Sequence, residues 1–279
     1  MRAGWRILLF LALYVALVAL LATALSFAWA SPPEWTAQAA ALVAALAAGW
    51  ILLARLDQLP PSTLGFPLGR AGLALSLRGL GLGFALIGAA VLMLVAIGSV
   101  RWMADAGDAA SYLRMLLGSF AFFALAAAGE EALFRGYPFQ ALVAGIGAWP
   151  ATLLSSALFS LAHLPNPEVG TLALVNIFLA GVLLALAYLR TRSLWFATGV
   201  HLGWNWTMAS LLDFPVSGWV RDTPLYEVVE RGPTLLTGGA FGPEAGLAAT
   251  AVLLLGGGWL ARQPSAAREE QGDTAALLG

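Results

Sequence analysis

Six polar side chains stand out against long apolar stretches: the adjacent carboxylates Glu130 and Glu131, then Arg135, the chain's only two histidines, His163 and His201, and Asn205. Ionisable groups at membrane depth are expensive, so they pair or face a wet cavity and mark sites of function. Glu131 and Arg135 stand at i,i+4 with the acid first, the spacing of an intrahelical ion pair in which each charge offsets much of the other's desolvation. A helix turns about 100° per residue, so Glu130 points elsewhere. It must find a partner on another helix or take up a proton. His201 and Asn205 are also four apart and share one helix face.

Hydrolysis of a peptide bond needs this set of groups: a base to deprotonate water, an acid for the leaving amine, and donors aimed at the developing oxyanion. Glu130 with His163 could activate water, and His201 with the Asn205 amide could stabilise the tetrahedral oxygen. No serine or cysteine nucleophile is then required. The same atoms also suit a metal: Glu130, His163 and His201 are candidate zinc ligands that would leave one position open for water, although the local H-E-x-x-H signature is absent. A third possibility is that Glu130 relays protons or ions in a transporter, but no pair of matched discontinuous helices accompanies it.

The elements that must hold these residues are apolar helices. Of 279 residues, 60% are hydrophobic and 10% charged, and the mean hydropathy is +0.84. That composition predicts an all-α, polytopic membrane protein, a single bundle with an intramembrane polar cavity. All fourteen basic residues are arginine, the net charge is −1 and no basic run is present, which argues against nucleic acid as a partner. The absence of cysteine excludes disulfides, thiolate metal sites and a thiol nucleophile.

Eight spans are expected, near 7–30, 35–54, 73–100, 111–143, 149–164, 170–189, 193–213 and 243–261. The first has a signal-like start but an apolar run long enough to cross the bilayer, and is read as a retained transmembrane helix. The fourth is too long to stand upright, and Pro138 near its end is the expected kink. Residues 101–110 are expected to form a polar external turn and 214–242 a large external loop able to cap a cavity. The domain is expected to run over 1–262, with a short disordered tail at 263–279. Eight crossings put both termini on one side. If that side is cytoplasmic, Arg2, Arg6, Arg55, Arg70, Arg78, Arg190, Arg192, Arg262 and Arg268 lie inside, and only Arg101, Arg114, Arg221 and Arg231 outside, which follows the positive-inside bias. Counted at about 1.5 Å per residue from the cytoplasmic ends, Glu130, His163 and His201 lie about 20, 21 and 12 Å deep, close enough to share a layer.

The segments Glu130-Glu131-Ala-Leu-Phe-Arg135, Phe159-Ser-Leu-Ala-His163 and His201-Leu-Gly-Trp-Asn205 occur in this order. They resemble the E-E-x-x-x-R, F-x-x-x-H and H-x-x-x-N/D motifs of the CAAX prenyl protease and bacteriocin-processing family of intramembrane proteases, the type II CAAX endopeptidases. The resemblance covers about 115–215. It implies an eight-helix membrane core, water activation by Glu130 and His163, an oxyanion site at His201 and Asn205, and support from Glu131 and Arg135. It also implies a membrane-associated peptide or protein as substrate, prenylated or not, in the lipid bilayer of the cell, with no obligatory cofactor. A non-catalytic membrane scaffold or bacteriocin-immunity factor that keeps the motifs is the competing expectation.

Overall fold

The computed structural model describes residues 2–264, so all but the first two residues of the anticipated tail lie outside the described residues. The chain forms α1 (Arg2–Ala28), α2 (Glu34–Leu52), α3 (Arg70–Ala96), β1 (Val100–Ala104), α4 (Ala109–Phe134), α5 (Tyr137–Ile146), α6 (Ala148–Ala162), α7 (Thr171–Thr191), α8 (Leu194–Trp206), β2 (Tyr226–Glu230), the single turn α9 (Thr234–Thr237) and α10 (Leu247–Arg262). Short π-helical turns extend α2 over Leu53–Asp57 and α8 over Thr207–Leu211. The architecture is a largely membrane-spanning helical bundle. Among the described residues five helical stretches are long and apolar enough to cross a membrane: Ala3–Ala28, Glu34–Asp57, Arg70–Ala96, Ala109–Ile146 and Thr171–Thr191. The rods α6 and α10 are apolar but span only 15 and 16 residues, short of the roughly 20 that a perpendicular crossing takes.

Helix ends follow local chemistry. The Ser31-Pro32-Pro33 break separates α1 from α2, and α4 opens on Asp108, whose Oδ1 accepts the backbone N–H groups of Ala110 and Ser111 at 2.9 and 3.0 Å, a side-chain cap for otherwise orphaned donors. The long fourth span is not kinked at Pro138. It breaks earlier, with Arg135 and Gly136 lying between α4 and α5. Pro138 falls in the first turn of α5, where its missing N–H has no intrahelical partner to lose.

The expected external turn at 101–110 and loop at 214–242 are also more ordered than anticipated. Val100–Ala104 and Tyr226–Glu230 pair as an antiparallel two-stranded sheet, with Val100 opposite Glu230 and Ala104 opposite Tyr226. The ladder continues where Arg231 N donates to Ser99 O at 2.8 Å. The Trp102 indole reaches across to donate to Leu212 O at 2.9 Å.

The helix that carries His201 and Asn205 is set by small residues. On α3, a Cβ added to Gly79 or Gly83 would meet Phe196 O at 2.3 Å or Val200 O at 2.1 Å. On α8, a Cβ on Gly199 or Gly203 would meet Ser76 O or Leu80 O, each at 2.2 Å. These reciprocal glycines let the two backbones touch, the small-residue mode of helix association in membranes. Gly81 and Gly88, on the other faces of α3, have nothing within 4 Å of an added Cβ.

Candidate active site

Glu131 and Arg135 occupy the last turn of α4 and its cap, and both side chains are 0% exposed. Arg135 Nη1 donates to Glu131 Oε1 at 3.1 Å, and Nη2 donates to Gly181 O on α7 at 3.1 Å. The guanidinium also lies over the Phe159 ring, 4.3 Å from its centroid, a cation–π contact that desolvation strengthens. The C-cap arginine of α4, its N–H still bonded to Glu131 O at 2.8 Å, thus joins α4, α6 and α7 from the inside.

Glu131 Oε1 accepts a second bond from His201 Nδ1 at 3.0 Å. A carboxylate paired with arginine only accepts, so the imidazole proton sits on Nδ1 and Nε2 is turned outward. That Nε2 lies 3.8 Å from Glu130 Oε2. Glu130 Oε2 is shielded and has no hydrogen-bond partner among the described residues, while the Glu130 side chain as a whole is 36% exposed. The doublet therefore divides as a helix turn requires. Glu131 points inward to hold His201 and Arg135, and Glu130 lies beside the other edge of the same ring.

His163 caps α6. Its Nδ1 lies 2.8 Å from Phe159 O, and because a carbonyl only accepts, Nδ1 carries the proton and the neutral ring keeps Nε2 as an acceptor. Phe159 joins the two imidazoles: its ring centroid is 4.8 Å from that of His163 and 6.0 Å from that of His201, edge-on to both.

Glu130, His163, His201 and Asn205 line one cavity of about 770 Å³, whereas Glu131 and Arg135 stand behind its wall. Phe122, Phe123, Phe134, Leu183, Leu184 and Val200 make much of the remaining lining. A small polar cluster in a mostly apolar concavity is the usual form of a substrate site. The expectation that Glu130, His163 and His201 could ligate zinc fails on this geometry. Among the described residues no group of three or more His, Cys, Asp or Glu side chains is placed to hold a metal ion.

The motifs did not point to several groups around the same cavity. Segment 216–221 forms part of its lining through Val216, Ser217, Trp219, Val220 and Arg221, and Glu34, Asn166, Trp204 and Glu244 contribute further polar atoms. Arg221 Nη2 donates to Glu34 Oε2 at 2.6 Å, and its guanidinium sits 4.0 Å over the Phe122 ring. The expectation that loop 214–242 could cap a cavity points to the 216–221 segment, whereas nothing in the sequence points to Glu34 or Glu244.

Residues 112–207 match the family model described as Type II CAAX prenyl endopeptidase Rce1-like. The matched segment runs from α4 to the end of α8 and contains all six residues singled out from the sequence. Comparison with curated proteins returns no match. The family match and the buried Glu–His–Arg network identify a CAAX-protease-like intramembrane hydrolase.

Proposed function

We propose that this hydrolase is an endopeptidase that cleaves a membrane-associated protein or peptide, of the prenylated CaaX type, with Glu130 as the base. A water held between Glu130 and the free His163 Nε2 gives its proton to the Glu130 carboxylate as its oxygen bonds to the scissile carbonyl carbon. The resulting oxyanion accepts hydrogen bonds from Asn205 Nδ2 and from His201 Nε2–H in the doubly protonated ring. Collapse of the tetrahedral intermediate breaks the C–N bond, and Glu130 passes its proton to the departing amine. Glu131 and Arg135 act through His201: they fix its ring and keep Nε2 facing the reaction.

The observation that carries this reading is the shared cavity wall. Glu130, His163, His201 and Asn205 all line it, with the Glu130 and His201 side chains 3.8 Å apart. The prenyl substrate class rests on the family description alone. The test is turnover of an internally quenched peptide bearing a farnesylated cysteine four residues from its carboxy terminus, by protein reconstituted in liposomes. Wild-type protein should cut after that cysteine, and Glu130→Gln should be inactive with an unchanged melt. Turnover by Glu130→Gln would reject the base, and an intact peptide with the wild type would reject the substrate class. Membrane proteomes of cells carrying active or Glu130→Gln protein would then show what is cut instead.

The same reading places eight crossings in the cell membrane with both termini cytoplasmic. Its supports are the arginine asymmetry and the eight rods α1, α2, α3, α4–α5, α6, α7, α8 and α10. The chain has no cysteine, so Ala3→Cys and Ala106→Cys each supply a unique thiol. An impermeant maleimide added to intact cells should label the second and spare the first.

A further inference from the structure

Glu244 lies outside the family-matched segment and outside every motif, yet its side chain lines the cavity with both oxygens occupied. Oε1 accepts the Trp204 indole N–H of α8 at 3.1 Å. Oε2 accepts both the backbone N–H and the hydroxyl of Ser217, at 2.8 and 2.7 Å. Trp204 precedes Asn205 and follows His201 by three residues, so one carboxylate ties the helix of the site to the 216–221 segment.

The turn that presents Glu244 is itself anchored. Asn176 on α7, 1% exposed, donates through Nδ2 to Glu244 O at 2.7 Å and to Gly246 O at 3.0 Å. Its Oδ1 accepts from Thr250 Oγ1 at 2.7 Å. On the other side, Ser217 O accepts from Asn166 Nδ2 at 3.1 Å, and Asn166 N donates to His163 O at 3.0 Å. Ser217 is therefore held between Glu244 and the turn that follows His163. The outer margin of the segment has the Arg221–Glu34 pair, in which the glutamate side chain is 76% exposed. Exposed pairs of that kind are screened and contribute little, whereas charge-assisted hydrogen bonds to a half-buried carboxylate are among the strong ones.

We propose that Glu244 is a positioning residue that clamps segment 216–221 over the cavity and against α8, governing how a substrate segment is admitted and held rather than how its bond is broken. The kinetic part of this role rests on the endopeptidase reading. The accessibility part does not.

The absence of cysteine again allows a clean probe. Ile177, on α7, lines the cavity and is 4% exposed, and Ile177→Cys gives a single thiol there. Its labelling rate by a water-soluble maleimide is compared in otherwise unchanged protein, in Glu244→Gln, in Ser217→Ala, and in Glu227→Gln, an exposed change on β2. Release of the clamp should speed labelling about fivefold or more in Glu244→Gln and Ser217→Ala, leave Glu227→Gln at the parent rate, and give no further gain when the two clamp changes are combined. With the farnesylated peptide, KM should rise about fivefold while kcat stays within about twofold.

An unchanged labelling rate, or a loss of kcat at constant KM, would overturn the clamp. Should Glu244→Gln misfold, Ser217→Ala removes only the hydroxyl bond and decides the matter alone. Should Glu130→Gln prove active, the hydrolytic mechanism fails while the labelling comparison still judges Glu244.

Discussion

Replacing Gly203 with alanine tests whether the site depends on how closely α8 lies against α3. An added Cβ would sit 2.2 Å from Leu80 O and 2.9 Å from the carbon of the same carbonyl, and real Cβ atoms essentially never come within 3.0 Å of such a neighbour. Both obstacles belong to backbone, so no side chain can swing aside. The helices must part locally by about 0.8 Å, taking as the limit the 3.0 Å closest approach. Gly203 lies midway between His201 and Asn205 in the sequence, so both move with it. A misplacement of about 1 Å in a catalytic group costs on the order of 10²-fold in rate, and overpacking of this kind destabilises by about 1–3 kcal/mol. Gly203→Ala should therefore lose about two orders of magnitude in kcat/KM on the farnesylated peptide while remaining folded. Gly81→Ala and Gly88→Ala, which meet nothing within 4 Å, should keep full activity and gain slightly in helix stability. Kinetics in liposomes and thermal melts in detergent measure both effects. Activity of Gly203→Ala within about twofold of wild type, or an equal loss in Gly81→Ala, would refute the dependence on close approach.

Glu131→Ala leaves Arg135 charged and buried, and breaking a buried pair from one side destabilises by about 3–5 kcal/mol; an unshifted detergent melt would deny the pair its structural role. Asn205→Leu should lower kcat by about 10²–10³-fold, the usual effect of losing one oxyanion donor, without changing the melt; unimpaired turnover at saturating peptide would remove Asn205 from the mechanism. At the end of β2, burial holds the Glu230 carboxyl above its ordinary value, more strongly than bonds from Thr237 and the Gly239 backbone pull it down. A raised folded-state value means that its stabilising contribution is complete below the unfolded value and lost as pH rises through the folded one. Glu230→Gln should thus gain in melting temperature relative to wild type as the buffer moves from about pH 4 to about pH 8, and a gap that narrowed instead would reverse the assignment.

Much of the site was legible because charge is conspicuous in an apolar chain and because helical spacing is local. Glu131 and Arg135, four residues apart, needed only the pitch of a helix to be paired. What joins distant parts of the chain was not legible. Val100 and Glu230 are neighbours across a strand ladder, yet nothing within Val100–Ala104 announces a partner so far along the sequence, and the segment read as a turn. Glu244 falls at the start of the expected eighth span, and nothing near it in the sequence announces Trp204 and Ser217, which occupy its two oxygens. The zinc expectation fails for a related reason: residue type makes histidine a candidate ligand, but only the distances between side chains on different helices decide whether three of them can meet one ion, and among the described residues none do. Pro138 misled in the opposite way. It is the expected kink of the fourth span, but the first turn of α5 gives it a position where it disturbs no intrahelical bond.

The two-stranded sheet distributes rigidity unevenly over the part of the chain that meets the cavity. Backbone-to-backbone bonds between Val100–Ala104 and Tyr226–Glu230 secure the far end of this excursion to the connection between α3 and α4. Ser217 and Arg221, by contrast, are fastened through side-chain carboxylates. Hydrogen exchange should follow that division, slow along the ladder and quickened at Ser217 once Glu244→Gln loosens the carboxylate that holds its amide, so that the segment flexes as a flap sewn down along one hem.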